Sequence, residues 1–522
     1  MSQLTQTIVG AICLAAVYLV LQSTRARRRL PLPPGPPKLP IIGNLLQIPT
    51  SKQYEVYKVW GEQYGDSHSG IIHIDAAGRS IVIINKAKAA GELLEKRIYS
   101  SRPPAPMAYD LMGWNWSIGM QPYGERWRAR RRTFHDSFNI EAAKLFHPQQ
   151  LEATRILLSE LLKRPEEYTE LLKYHTARTV MSIAYGIKVQ SKSDPWVALA
   201  EEAIGPLMRA TVPGAFLVDT FPFLKYIPSW LPGAGFKRQA QEWRKLTMRL
   251  RNEPFVEGKR IIESGEYTPS FISESLQRLD ELEDPLVQAQ AERKEKENLI
   301  RDTAGTMYLA GVDSTATAIT SFIYSMATHP DIQRQAQAEV DRVVVGRLPT
   351  FKDEKSLPYV TALVWEVLRW KSVSPLGLAH YLESEDVYEG YRIPKGSVVV
   401  SNIWAILHDE EIYIDPFEFD PERYFKPGTR EFDETVKDPT FAVFGFGRRI
   451  CPGRHMAYAS IWIAVASILK TFDISKKVDE KGNVVEPVYE QQTAIVAAPR
   501  PFECTIKPRS DEVERLIMGA GE

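Results

Sequence analysis

Apolar positions follow contrasting patterns along the 522-residue chain, and each pattern predicts a different kind of element. From Leu4 to Leu21 they run almost unbroken with no charged side chain before Arg25, which as a helix spans roughly 27 Å at about 1.5 Å per residue. That nearly crosses a bilayer. Arg25, Arg27, Arg28 and Arg29 follow at once, so the positive-inside rule keeps this basic end and all that follows in the cytoplasm. A cleaved signal peptide is the rival reading, but its charges precede the apolar run, whereas here they come after it. Residues 1–24 are therefore expected to be a membrane anchor and residues 25–45 a basic and proline-rich linker. The linker contains LPLPPGPPKLPIIGN from Leu30, where repeated prolines remove backbone donors and fix φ, so the anchor helix cannot continue.

Beyond the linker the period shifts. Ile71 to Ile74 and Ser80 to Ile84 read as short strands flanking a turn that contains Gly78, and Lys86 to Lys96 reads as a helix. Apolar residues then recur mostly at helical spacing, notably over Ile140–Leu162, Glu166–Tyr185, Asn298–Thr328 and Pro330–Val344. The mixed-charge run Asp280–Glu297 reads as a solvated loop leading into a helix. No fixed-period repeat and no glycine or serine tract divides the body. The fold class is mainly α with small β sheets, one domain over residues 46–510 and a C-terminal tail over 511–522.

Composition acts mainly by exclusion. Lysine plus arginine equals aspartate plus glutamate at 65 each, so no basic excess exists to neutralise a phosphate backbone, and no nucleic-acid partner is expected. Three cysteines, Cys13, Cys451 and Cys504, are too few and too scattered for a disulfide framework. A thiol kept reduced is free to bind metal.

Phe444 to Gly453 reads FGFGRRICPG, a glycine-punctuated loop that delivers Cys451 just before an apolar helical run, His455–Leu469. The helix dipole and the nearby Arg448 and Arg449 are expected to lower the thiol pKa and keep the sulfur ionised. This segment resembles the cytochrome P450 family, whose haem loop follows F-x-x-G-x-R-x-C-x-G; Phe444, Gly447, Arg449, Cys451 and Gly453 fill the fixed positions. The resemblance covers nearly the whole chain after the linker and looks like the microsomal fungal type of specialised metabolism. It implies the cytochrome P450 fold around haem b, with Cys451 as the proximal iron ligand and Arg449 on a haem propionate. Thiolate ligation favours cleavage of the oxygen–oxygen bond.

Further residues take roles through the same resemblance. Trp127 and Arg131, four apart in ERWRARRRTF, match the family's W-x-x-x-R propionate contacts, and His380 aligns with another propionate neighbour. Arg128, Arg130 and Arg132 are expected on a solvated basic face, which could steer an acidic reductase. Glu366 and Arg369, with Arg423 from the PERY segment, match a structural triad that braces the haem loop. In LAGVDSTA (Leu309–Ala316), Asp313 and Ser314 match the acid and alcohol that deliver protons beside the oxygen site; Thr315 adjoins them, and which hydroxyl serves is left open. A mid-helix glycine costs about 1 kcal/mol against alanine, so Gly311 asks for a close neighbour.

Aromatic-rich stretches at Asp110–Trp116 and Phe221–Phe236 suit a greasy, ring-containing substrate or contact with a bilayer surface. Substrate contacts are expected from Pro103–Met120, Val212–Phe236, Thr303–Ala310, Pro375–Leu378 and Thr493–Val496. The reaction implied is insertion of one oxygen atom from O2 into a hydrophobic small molecule, a secondary metabolite, at a catalytic domain tethered to the endoplasmic reticulum membrane and facing the cytoplasm. The chain has no G-x-G-x-x-G fingerprint after a strand, so NADPH–cytochrome P450 reductase is the implied partner, with cytochrome b5 a candidate second donor. The rivals are a reductase-independent haem-thiolate isomerase or dehydratase, a cysteine hydrolase and a non-catalytic haem sensor. Retention of the acid and alcohol favours the monooxygenase, and no nucleophile elbow or histidine partner supports the hydrolase.

Overall fold

The computed structural model describes residues 30–519 except 67, 192, 213, 282–288 and 492–493. The anchor expected over residues 1–24 lies outside the described residues, among which no helix is long and apolar enough to cross a membrane. In chain order the longer helices are α1 (Gln53–Tyr64), α2 (Ala87–Leu94), α3 (Glu125–Phe138), α4 (His147–Lys163), α5 (Tyr168–Tyr185), α6 (Pro195–Ala210), α7 (Gly235–Glu263), α8 (Phe271–Glu281), α9 (Ala289–Thr328), α10 (Pro330–Val343), α11 (Pro358–Trp370), α12 (Arg454–Thr471) and α13 (Asp511–Gly519). The strands are β1 (Ile71–Ala76), β2 (Arg79–Ile84), β3 (His380–Tyr381), β4 (Asp386–Tyr388), β5 (Tyr391–Ile393), β6 (Val398–Ser401), β7 (Phe472–Val478), β8 (Val484–Val485) and β9 (Cys504–Pro508).

Local sequence sets many of the boundaries. Pro195, Pro330 and Pro358 each open a helix where a missing N–H costs nothing, and Asp194 caps α6 by accepting the Trp196 N–H at 3.0 Å. Gly186 ends α5 in the left-handed region at φ 71°. The periodic stretch from Ile140 splits into a 3₁₀ turn, Ala142–Phe146, and α4, with Pro148 in the first helical turn. Helix α9 starts earlier than its apolar pattern, at Ala289, so the charged residues 292–297, expected in a loop leading into a helix, are already helical. Ion pairs from Glu297 to Lys259 of α7 at 3.4 Å and from Arg293 to Asp280 of α8 at 2.7 Å tie that first part to its surroundings. The stretch expected as a tail contains α13, which buries Ile517 against the body.

β1 and β2 form the expected hairpin, Ile71 opposite Ile84, and β6 and β3 extend it in the order β1-β2-β6-β3. The proline-rich linker docks on it: Pro34 O accepts the His73 N–H at 2.8 Å, and the Lys38 ammonium donates to His73 Nδ1 at 3.1 Å. The larger of the buried apolar clusters runs from Ile319, Phe322 and Met326 of α9 to Leu363 and Val367 of α11 and Trp462 and Val465 of α12. A second joins Trp114, Trp116 and Trp127 to Tyr308 and Val312 of α9. Helix α9 packs against α3, α5, α7 and α12, so it is the axis on which the site is built.

Candidate active site

The loop from Phe444 to Gly453 is held by its glycines. Gly447 has φ 56°, and a Cβ there would meet the Leu94 carbonyl oxygen at 2.3 Å, so no other residue fits against the end of α2. The Cys451 N–H donates to Phe444 O at 2.8 Å, closing the loop, and Gly453 then caps α12. The Gly453 N–H and the guanidiniums of Arg131 and Arg454 favour the thiolate, but burial outweighs them and pushes the Cys451 thiol up. This corrects the sequence reading in sign and in residues. Arg448 donates instead to Glu95 O at 2.6 Å, and Arg449 reaches away from the sulfur to the carbonyls of Ser100 (2.6 Å), Ile118 (3.2 Å) and Gln121 (2.7 Å).

Arg449 belongs to a cluster of cations. Arg102 donates to Gly119 O at 3.1 Å, Leu378 O at 2.7 Å and Ala379 O at 2.9 Å, so its acceptors, like those of Arg449, are backbone carbonyls. Burial pushes Arg449 down to about 8, aided by repulsion from Arg102 and Arg131, and Glu383 offsets part of this. Burial alone pushes Arg102 down to about 10. Arg449 stacks 4.3 Å over the Trp127 ring, whose Nε1 is buried without a hydrogen-bond partner. His380, fixed on β3 opposite Val399, donates Nδ1–H to Tyr99 O at 2.9 Å; burial and the two arginines hold it neutral, which leaves Nε2 an acceptor.

Converging guanidiniums with no carboxylate ion-paired to them among the described residues, beside an orphaned indole N–H, form an anion cradle. Its chemistry suits the two carboxylates of a porphyrin, and the nearby cysteine would supply a sulfur ligand to its iron; the residues present fit haem. Sequence reasoning found Trp127, Arg131, His380, Arg449 and Cys451, and the structure gathers them together. It missed Arg102 and Arg454. Arg102 sits in a stretch with no motif, and only the fold brings it beside Arg449.

On the facing side, α9 is an unbroken helix across the Asp313–Ser314 pair. Gly311 does have a close neighbour, since a Cβ there would meet Val180 Cγ2 of α5 at 2.7 Å, and Gly305 meets Trp116 in the same way at 2.8 Å. Ala310 is exposed in mid-helix, and Ser314 one turn on donates to its carbonyl at 2.7 Å, whereas Thr315 is buried in the packing. Of the two hydroxyls, Ser314 therefore has the open face. Burial pushes the Asp313 carboxyl up; Lys173 opposes this and Glu201 adds to it.

Glu366 sits in the expected triad, with both partners buried. It accepts from Arg369 at 2.8 Å on each oxygen, from Arg423 Nε at 3.1 Å and from Tyr424 OH at 3.1 Å. Arg369 also grips Leu407 O, Pro416 O and Glu418 O, which locks the segment leading to the cysteine loop onto α11. Arg130 departs from its expected solvated face. Its Nη2 lies 2.5 Å from the fully buried Asp302 of α9, which also takes Arg251 of α7 at 2.7 Å. Of the long aromatic stretch, Phe221, Phe223, Tyr226 and Trp230 are exposed rather than turned inward. Thr493, in one of the expected substrate segments, lies outside the described residues.

Fold and cradle together define the class, a haem-thiolate protein. The family model described as Cytochrome P450 matches residues 33–506. "Cytochrome P450 monooxygenase 98" of Postia placenta is 46% identical over 97% of this chain and 95% of its own. "Cytochrome P450 monooxygenase ple1" of Rhodocybe pseudopiperita is 41% identical over 95% and 92%, and the "Tryptamine 4-monooxygenase" of Psilocybe cyanescens is 39% identical over 98% and 99%. The chain belongs to the cytochrome P450 family.

Proposed function

We propose that the protein is a monooxygenase that binds haem b and inserts one oxygen atom from O2 into a hydrophobic, ring-bearing small molecule of specialised metabolism. Electrons come from NADPH through a separate reductase. The observation that carries this reading is Cys451, presented by a glycine-locked loop beside arginines that have no ion-pair partner among the described residues. Haem, when bound, supplies the oxygen activation and the one-electron steps.

The chain's own residues do the rest. Arg102, Arg131 and Arg449 would hold the propionates, with the Trp127 N–H as a further donor. His380, held neutral, stands beside them with Nε2 as an acceptor. Cys451 would supply the thiolate that holds the iron. Ser314 holds a proton at Oγ on the open face of α9, with Asp313 behind it to resupply that proton. Ile204, Met208, Val212, Val312 and Ala494 line a neighbouring cavity of ≈ 500 Å³ and suit an apolar substrate.

We place the protein at the cytoplasmic face of the endoplasmic reticulum, held by residues 1–24 and by an outward apolar surface. Ile41 and Leu46 are exposed near β1, and Leu217, Phe223, Tyr226 and Trp230 are exposed beyond α6. The Gly43–Ala76 bridge and the bond from Arg79 Nη2 to Asp219 O at 2.7 Å put both groups on one side of the hairpin. A surface of this kind suits a bilayer headgroup region.

The test is spectroscopic first. Purified protein should give a ferrous carbonyl adduct with the red-shifted Soret band of thiolate ligation, and Cys451→Ser should abolish it. With reductase and a panel of aromatic and terpenoid compounds, NADPH-dependent oxygen uptake should then appear. Product formed from a peroxide without reductase would favour the isomerase or dehydratase instead.

A further inference from the structure

Lys371 caps the end of α11, where its backbone N–H donates to Val367 O at 3.1 Å. Its ammonium lies 3.7 Å from the centre of the Trp370 ring, 4.7 Å from that of Tyr489 and 5.8 Å from that of Tyr324 on α9. Among the described residues it has no hydrogen-bond acceptor and no ion pair. The rings also hold one another, with Tyr324 4.8 Å from Tyr489 and 6.1 Å from Trp370, so the box stands without the lysine. Ring faces attract a cation but offer no lone pair. An amine that loses its proton there breaks no hydrogen bond and keeps its own lone pair free. The residue is only partly buried, which leaves a path for a reagent.

We infer that Lys371 is a modification site, an amine placed to accept an acyl group from a thioester such as acetyl-coenzyme A. The free amine adds to the thioester carbonyl; the C–N bond forms, the C–S bond breaks, and the amine proton leaves with the coenzyme A thiol. The amide formed carries no charge, which suits a box that withholds water from an ammonium. Burial pushes the Lys371 amine down to about 8; Glu55 of α1 opposes this, and Lys52 and Arg369 add to it. Burial also pushes His329 and His408 down and the tyrosines 324 and 489 up, so all four are neutral at pH 7. About a tenth of Lys371 is then unprotonated at pH 7, against well under about one in a thousand for a lysine in water. Lys86 shows the opposite arrangement. It is held by Asp409 at 3.1 Å and Glu411 at 3.0 Å, which outweigh burial and push its amine up.

The site is independent of the monooxygenase reading, and its test needs no turnover. Folded holoenzyme is incubated with acetyl-coenzyme A from about pH 6 to about pH 10, and the rate at each lysine is read by peptide mass spectrometry. At pH 7 Lys371 should be acetylated about tenfold faster than the median of the exposed lysines, because lower nucleophilicity and partial burial return part of the gain in free amine. Its rate should level off above about pH 8 while theirs keep climbing. Lys86 should be among the slowest. Lys371→Arg should remove the fast site and leave the other rates unchanged, and in denatured protein Lys371 should react at the median rate. A Lys371 rate at or below the median in the folded protein at pH 7, or one that climbs with the others to pH 10, overturns the site.

Discussion

A guanidinium withdrawn from water is costly unless an anion meets it, and the groups that Arg449 touches are backbone carbonyls and an indole face. Such a residue is held ready for a charge that arrives from outside the chain. Arg449→Ala should fold but release haem to an acceptor globin about 10- to 100-fold faster, since a hydrogen bond to a charged group contributes about 1.5–3 kcal/mol. Unchanged release would remove Arg449 from the cradle. Ser314→Ala should raise peroxide release per NADPH by about tenfold, less than the ~10² of a positioned proton donor because water replaces part of the hydroxyl. The same change in Thr315→Ala with normal coupling in Ser314→Ala would reassign the relay. Residues within a short motif were legible from the sequence, as Cys451 and its loop show. Arg102 and Arg454 were not, because their parts depend on contacts made across the fold.

At the scale of elements, α3 shows why a run of arginines cannot be sorted by pattern. Trp127 and Arg131 face the cradle, Arg126, Arg128 and Arg132 are exposed, and Arg130 is pinned to Asp302. Helical spacing places Arg130 near a boundary, and only a buried acid on another helix decides its side. Charge reversal separates the two roles. Arg132→Glu should keep the fold and slow reductase-supported turnover about threefold at low salt, with the difference fading as salt screens the encounter. Arg130→Glu should instead lower the yield of folded protein, because two carboxylates would share a buried site and breaking such a pair costs about 3–5 kcal/mol. Normal yield for Arg130→Glu, measured by the carbonyl band, would show the Asp302 pair to be dispensable. Helix positions were largely legible because proline starts and glycine ends are local signals, whereas the charged beginning of α9 owes its helicity to partners elsewhere in the fold.

Across the whole molecule, the roof over the site is tied to the proline-rich side by a few polar contacts that no local pattern reveals. Asp219 accepts the Met107 N–H at 2.9 Å, its own carbonyl accepts from Arg79, and Lys225 pairs with Asp110 at 2.8 Å. These join the exposed aromatic segment to the π-helical turn Pro106–Leu111, on which expected substrate contacts lie. Burial pushes the Asp219 carboxyl up from 3.8 to about 6, against the Met107 N–H and the charge of Arg79. The folded chain therefore holds this proton more tightly than the unfolded chain does. Stability from this group is complete below about pH 4, falls as pH rises to 6 while only the unfolded state ionises, and stays low above that. Asp219→Asn keeps an oxygen for the Met107 N–H but never ionises. It should match wild type near pH 4 and exceed it above pH 6, by about 1–3 kcal/mol once residual exposure is allowed for. Thermal midpoints of both proteins at pH 4.5 and 8 give the comparison. A gain that is the same at both values would mean that the carboxyl is not held proton-bound at the roof, and that the contact with Met107 is an ordinary surface hydrogen bond.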